Sequence, residues 1–202
     1  MRLILARHGE TDYNQEWRYQ GRTDIGLNRT GRRQAERLRH RLSLQPLDVI
    51  YTSKLKRAGH TAAVIARRRG VPVRACDELA ELDFGKLEGL TYDEIVARYP
   101  DWKPDEDGFD AYGGENLAQL ARRIKAFEKK LRGDNPAEAE ILIVAHGGPL
   151  RVLLCRLLGL NIENWRYFRL APGSLTEVED FGNQPVLTRL NDVSHIKIKY
   201  RE

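Results

Sequence analysis

Apolar residues along this chain follow two patterns, and the two alternate. Residues 3–6 (LILA) and 141–145 (ILIVA) are unbroken apolar runs of strand length, as expected of parallel strands covered on both faces. Residues 47–52 (LDVIYT) read as another strand. Val71-Pro72-Val73 starts a short third, and residues 175–178 and 186–190 read as late strands. Between these runs the apolar residues recur at helical spacing. A turn at residues 27–31 opens a helix with Ala35, Leu38 and Leu42 on one face. A second helix is expected over about residues 55–69, ended by Gly70. Thr91 caps a third, which runs through Ile95 and Tyr99 to its stop at Pro100. Leu117, Leu120, Ile124, Phe127 and Leu131 form the stripe of a fourth, and residues 150–158, apolar nearly all round, form a buried fifth. Residues 100–116 carry Asp, Pro, Gly, Trp and Tyr without periodicity and read as a loop, placed to act as a lid.

Strands alternating with helices point to an α/β fold, a three-layer α/β/α sandwich with a mainly parallel sheet. A chain of 202 residues is long enough to bury a core without disulfide or metal staples. It suits a single domain over residues 1–202, with a lid or insertion around 79–116.

Composition narrows the function. A net charge of +5 is compatible with nucleic acid, a membrane surface or an anionic small substrate. The basic residues are spread along helix-like segments. Arg67-Arg68-Arg69, the one run of three, reads as a solvated helix end before Gly70. With no aromatic–basic platform and no helix-turn-helix signal, nucleic acid is not expected as a partner. Cys76 and Cys155 lie far apart without metal-ligand spacing, so neither a disulfide framework nor a zinc site is expected, and a reducing compartment fits. Arg7 and His8 interrupt the first apolar run and no other run reaches membrane-spanning length, so no membrane partner is expected and the location is read as cytoplasmic. The sequence leaves oligomeric state open, a homodimer included.

Ligands of open α/β sheets bind beyond the carboxyl ends of the strands. Three strands deliver polar residues there. The first delivers Arg7-His8-Gly9, the second Thr52-Ser53 and, just beyond, Arg57, and the central one His146-Gly147-Gly148. If these strands are neighbours, two histidines and two arginines share a pocket. That set suits a phosphoryl group. Guanidinium forks match phosphate oxygens, a neutral imidazole can attack phosphorus, and helices beginning near Ser53 and Gly147 aim free N–H groups at an anion.

The blocks "LARHGETDYN", "RYQGRTDIGLNRTGRRQA", "YTSKLKRAGHTA", "ELDFGKLEG" and "VAHGGPLR" occur in an order that resembles the histidine phosphatase superfamily, whose founding members are the cofactor-dependent phosphoglycerate mutases. The resemblance extends from residue 5 to 151. It implies a phosphoglycerate mutase-like fold and a metal-independent phosphomonoesterase that works through phosphohistidine without a bound cofactor. His8 would be the nucleophile. Arg7, Arg57 and His146 would hold the phosphoryl oxygens, and Asn14 and the Gln20-Gly21 turn would contact substrate phosphate. Gly147 would offer its backbone N–H, and Glu81 sits where the family places its proton donor, with Glu78, Asp83 and Glu88 as nearby rivals. The first step needs Glu81 protonated, a state that burial or nearby negative charge favours.

Within the family, "RYQGRTD" resembles α-ribazole phosphatases and broad-specificity phosphatases. The mutases carry Gly-Trp where this chain has Gln20-Gly21-Arg22, and grip a carboxylate with further basic residues. Here the 100–116 loop is acidic. A small phosphorylated metabolite cleaved by water is therefore the expected substrate, with phosphoglycerate mutase as the alternative and a non-catalytic phosphate-binding module as the alternative from another class. Trp17, Tyr19, Trp102, Phe109 and Tyr112 either wall the substrate pocket or pack among themselves, and Leu87 stands where the family has Trp.

Overall fold

The two unbroken apolar runs lie side by side at the centre of a six-stranded sheet. The structure, a computed structural model, describes residues 1–103, 108–180 and 184–196. Its strands are β1 (Arg2–Arg7), β2 (Val49–Ser53), β3 (Val73–Cys76), β4 (Glu140–Ala145), β5 (Leu175–Asp180) and β6 (Pro185–Asp192), in the order β3-β2-β4-β1-β5-β6. β1, β2, β3 and β4 run parallel, while β5 is antiparallel to β1 and β6 to β5.

Alternation along the strands sorts the core into two layers. Leu3, Leu5, Tyr51, Ile141 and Ile143 face α5 (Leu117–Asp134) and α6 (Gly147–Leu157), where they meet Leu120, Ile124, Phe127 and Leu153. Ile4, Ala6, Ile50, Leu142 and Val144 face α2 (Arg29–Arg41) and α3 (Lys56–Ala66), where they meet Leu38, Leu42, Ala58, Ala62 and Ile65. The result is the three-layer α/β/α sandwich that the alternation implied. Among the described residues no helix is long and apolar enough to cross a membrane.

Element ends depart from the periodicity in places that have local causes. α3 stops at Ala66 rather than near residue 69, because Arg67 leaves helical geometry and Arg68 takes a left-handed φ of +63°. The arginine run is knitted to the end of α2 instead of prolonging the helix. Arg67 pairs with Glu36 at 2.9 Å, and Arg69 donates to the carbonyls of Leu42 and Gln45, at the end of α2 and just beyond it. α6 begins at Gly147, three residues before the apolar stretch, with His146 as its N-cap residue. α1 (Asp12–Gln15) is too short to show a period in the sequence; a capping box between Thr11 and Asn14 starts it.

The described residues between β3 and α5 build a cap over the strand ends, from short 3-10 turns and α4 (Tyr92–Arg98), which carries the expected Thr91 cap. Its small core of Leu87, Ile95 and Trp102 is packed by Tyr19, Phe84, Phe109 and Tyr112, with Phe84 and Phe109 edge to face at 4.6 Å. Of the five aromatics singled out in sequence, Tyr19, Trp102, Phe109 and Tyr112 are thus packing residues. Trp17 stands apart, 65% exposed at φ +59°. Leu87 is fully buried in this cap core. Of the acidic loop expected over 100–116, positions 104–107, with Asp105, Glu106 and Asp107, lie outside the described residues.

Candidate active site

β1 and β4 are neighbours in parallel register, with Arg7 opposite Ala145, so the chain leaves both strands at the same height. The His8 N–H donates to the Ala145 carbonyl at 3.0 Å, and the His8 and His146 rings come within 5.0 Å, centroid to centroid. Neighbouring strands sit about 4.8 Å apart, so two residues that follow paired strand ends must meet. Arg57 enters from the first turn of α3, which follows β2 on the other side of β4. It is completely buried.

Two hydrogen bonds fix the tautomers. His8 Nδ1 lies 2.7 Å from the Gly9 carbonyl oxygen, which can only accept, so Nδ1 carries the proton and Nε2 keeps its lone pair. Arg57 Nε, which can only donate, lies 3.2 Å from His146 Nδ1, so the proton of His146 is on Nε2. Both rings are pushed well below the ordinary imidazole range. Desolvation is the first cause for each, followed by the positive charge of Arg57, with Arg7 also contributing. Both are therefore neutral at neutral pH. His146 Nε2 is buried without a hydrogen-bond partner among the described residues, as is Arg7 Nε. A buried donor left unpaired costs about 1–3 kcal/mol, and such costs mark positions that await an acceptor.

Arg57 spends its fork on the turn of residues 20–23, with Nη2 to the Gly21 carbonyl at 2.6 Å and Nη1 to that of Thr23 at 2.8 Å. Arg7 donates from Nη1 to the Leu170 carbonyl at 2.6 Å. Burial lowers Arg7 to about 10, against the pull of Glu81, so it stays charged at neutral pH. Gly147 is the first residue of α6, and its N–H lies outside the helix's own bonding.

Glu81 is brought to this cluster. Its Oε1 accepts from the Leu82 and Gly148 N–H groups, both at 2.9 Å, and its charge acts on Arg7, Arg57 and Arg151. The rivals are engaged elsewhere. Asp83 caps Gly85 N–H at 2.9 Å, the charge of Glu78 acts on Lys54 and Cys76, and Glu88 receives the N–H groups of Arg22 and Thr23 at 2.7 and 2.8 Å. Asn14 uses Oδ1 on the Thr11 N–H at 3.1 Å, which leaves its amide NH2 as the donor. Gln20 is buried with Oε1 on the Thr11 hydroxyl at 3.0 Å, again leaving its NH2. Gly21 presents its carbonyl to Arg57.

Two arginines escaped the sequence reading. Arg123 clamps the 78–81 segment, donating to the carbonyls of Glu78, Ala80 and Glu81 at 2.6, 2.7 and 3.1 Å while paired with Glu115. Arg151 donates from Nε to the Gly147 carbonyl at 2.9 Å and stacks on Trp165 at 4.6 Å. A Cβ on Gly147 would sit 3.4 Å from Arg151 Nη2 and 3.7 Å from Arg7 Cζ, so the two guanidinia flank the start of α6. One helical turn separates Arg151 from Gly147, and that spacing was the available signal. Among the described residues no group of three or more His, Cys, Asp or Glu could hold a metal ion.

Residues 3–193 match the family described as histidine phosphatase superfamily, branch 1. The chain is 32% identical over 206 residues to phosphoserine phosphatase 1 of Hydrogenobacter thermophilus, a match that covers 100% of this chain and 97% of that protein. It is 33% identical over 184 residues to the adenosylcobalamin/alpha-ribazole phosphatase of Salmonella typhimurium, covering 89% and 90%. A solved mycobacterial glucosyl-3-phosphoglycerate phosphatase, in complex with VO3, superposes with a TM-score of 0.82 at 32% identity, covering 94% of this chain and 98% of that one.

Proposed function

The chain belongs to the histidine phosphatase superfamily and is a phosphatase of a small phosphorylated substrate, and we propose that His8 carries the phosphoryl group between two in-line displacements. The observation that carries this reading is the pair of neutral, buried imidazoles in opposite tautomers. One offers a lone pair at Nε2 and the other an N–H.

In the first step His8 Nε2 attacks phosphorus and the bond from phosphorus to the substrate oxygen breaks. Glu81, with Oε1 held by two backbone N–H groups, carries the departing proton on Oε2 and gives it to that oxygen. His146 Nε2–H, Arg7, the remaining N–H groups of Arg57, the Asn14 and Gln20 amides and the Gly147 N–H take the phosphoryl oxygens, whose negative charge they stabilise as the transfer proceeds. In the second step water attacks phosphorus, Glu81 takes its proton, and the P–N bond breaks to return the lone pair to His8. No step needs a metal or an organic cofactor.

These donors converge on the phosphoryl group and not on the alcohol, which supports broad specificity among small phosphomonoesters. Nucleic acid and membranes are not partners in this reading, and two free, buried cysteines suit a reducing cytoplasm. Hydrolysis of para-nitrophenyl phosphate in the presence of a chelator tests the proposal. Brief mixing with substrate should leave acid-labile, base-stable phosphate on the protein. Turnover with no such species would refute the covalent step.

A further inference from the structure

Glu88 lies close to the site, and every one of its hydrogen bonds comes from a donor. Oε1 accepts from the N–H groups of Arg22 at 2.7 Å and Phe84 at 3.3 Å, and Oε2 from the Thr23 N–H at 2.8 Å and hydroxyl at 2.6 Å. Such a carboxylate is committed to holding a turn and not to moving a proton. The turn fits it closely. Gly21 is at φ +49°, and a Cβ there would fall 1.9 Å from Glu88 Oε1. With its N–H groups tied to Glu88, the turn points two carbonyls the other way, Gly21 O and Thr23 O, and these hold both arms of the Arg57 fork. Arg57 Nε in turn holds His146 in the tautomer that exposes Nε2–H.

The same carboxylate reaches back into the cap. Its bond to Phe84 N–H joins the ring that lies edge-on to Tyr19 at 5.2 Å, and the next residue, Gly89, donates its N–H to the Tyr19 carbonyl at 2.8 Å. We propose that Glu88 is a positioning residue, which aims Arg57 and through it His146, and ties that aim to the packing of the cap. The inference rests on the reading of Arg57 and His146 as phosphoryl-binding groups.

The test is a double-mutant cycle read by vanadate binding, since vanadate mimics the transferring phosphoryl group. In Glu88→Gln one oxygen becomes an NH2, which meets donors on every side. It should weaken vanadate binding by roughly ten- to a hundredfold in the native background, the range for bonds to a charged group. In an Arg57→Ala background the same change should cost less than about twofold, because its route is already cut. Equal weakening in both backgrounds would make Glu88 a general structural residue and overturn the proposal, and so would no weakening in the native one. If Glu88→Gln does not fold, Glu88→Asp carries the same cycle with the charge kept on a shorter arm. Arg57→Ala alone separates the two levels. Native-like vanadate affinity in that variant would overturn the reading of Arg57 itself, and Glu88's role with it.

Discussion

Replacing Glu81 by Gln removes one proton from the proposed mechanism and almost nothing else. Oε1 accepts from Leu82 N–H and Gly148 N–H at 2.9 Å each, and a carboxamide oxygen can accept the same two bonds. The amide nitrogen then occupies the place of Oε2, so the side chain keeps its position and loses the ability to protonate a leaving group. General acid catalysis contributes about 10²- to 10⁴-fold, or about 3 to 5 kcal/mol, when the leaving group is an alkoxide. Para-nitrophenolate leaves without help. Glu81→Gln should therefore slow formation of the phosphoenzyme from a sugar phosphate by about 10²- to 10⁴-fold and from para-nitrophenyl phosphate by much less. A rate constant read at saturation separates the loss of the proton from any change in substrate affinity. Rapid-quench single turnover is the assay, because Glu81 also serves as base in the second step, common to both substrates. Equal losses for the two substrates in the first step would remove Glu81 from the acid's role.

His8→Ala should abolish turnover and the acid-labile phosphate together; more than about a hundredth of native activity would refute covalent catalysis, since residues that act as a unit lose several orders of magnitude. Gly148→Ala would place a Cβ 2.6 Å from Glu81 Oε1, and should give a leaving-group-dependent loss in the same direction as Glu81→Gln, measured by the ratio of the two substrates. His8 and His146 titrate far lower folded than unfolded, so below the ordinary imidazole range the unfolded chain binds protons that the native one refuses. Stability should fall as pH drops through about 6.5, and His146→Gln should remove up to about 1.4 kcal/mol per pH unit of that slope, read by denaturant unfolding between pH 5 and 7.5. With 3-phosphoglycerate and a bisphosphoglycerate primer the protein should release phosphate or do nothing; rapid formation of 2-phosphoglycerate would overturn the choice of phosphatase over mutase.

The sheet and its helices were legible because each is written in a long apolar period, and the strand-end residues Arg7, His8 and His146 because a buried strand that ends in charge is conspicuous. What the sequence hid is short or mutual. α1 spans four residues. The early end of α3 depends on carbonyls at the end of α2, more than twenty residues away. Glu81 could not be separated from Glu78, Asp83 and Glu88 by composition, since all four are acids within one stretch. Only their partners tell them apart, Gly148 N–H for Glu81 and the 22–23 turn for Glu88. The aromatic residues of the cap looked equally suited to a ligand or to each other, and edge-to-face pairs decided in favour of packing.

The described residues gather Arg7, Arg57 and Arg151 about Glu81, and the positive charge of Arg57 and Arg7 adds to burial in disfavouring protonation of His8 and His146. An arriving phosphomonoester brings about two negative charges into the same space. It offsets the repulsion among the guanidinia, and it offers an acceptor to His146 Nε2–H and to Arg7 Nε, two of the buried groups without hydrogen-bond partners among the described residues. The cations that bind the substrate also help burial to hold the imidazoles neutral, so affinity for the anion and nucleophilicity of His8 share a source. A variant that weakens Arg57 must therefore pull in two directions. Vanadate binding should weaken, and the acid limb of single-turnover phosphorylation should move toward neutral pH, as His8 recovers part of its ordinary basicity. A loss of affinity with the acid limb unmoved would show that burial alone keeps His8 neutral.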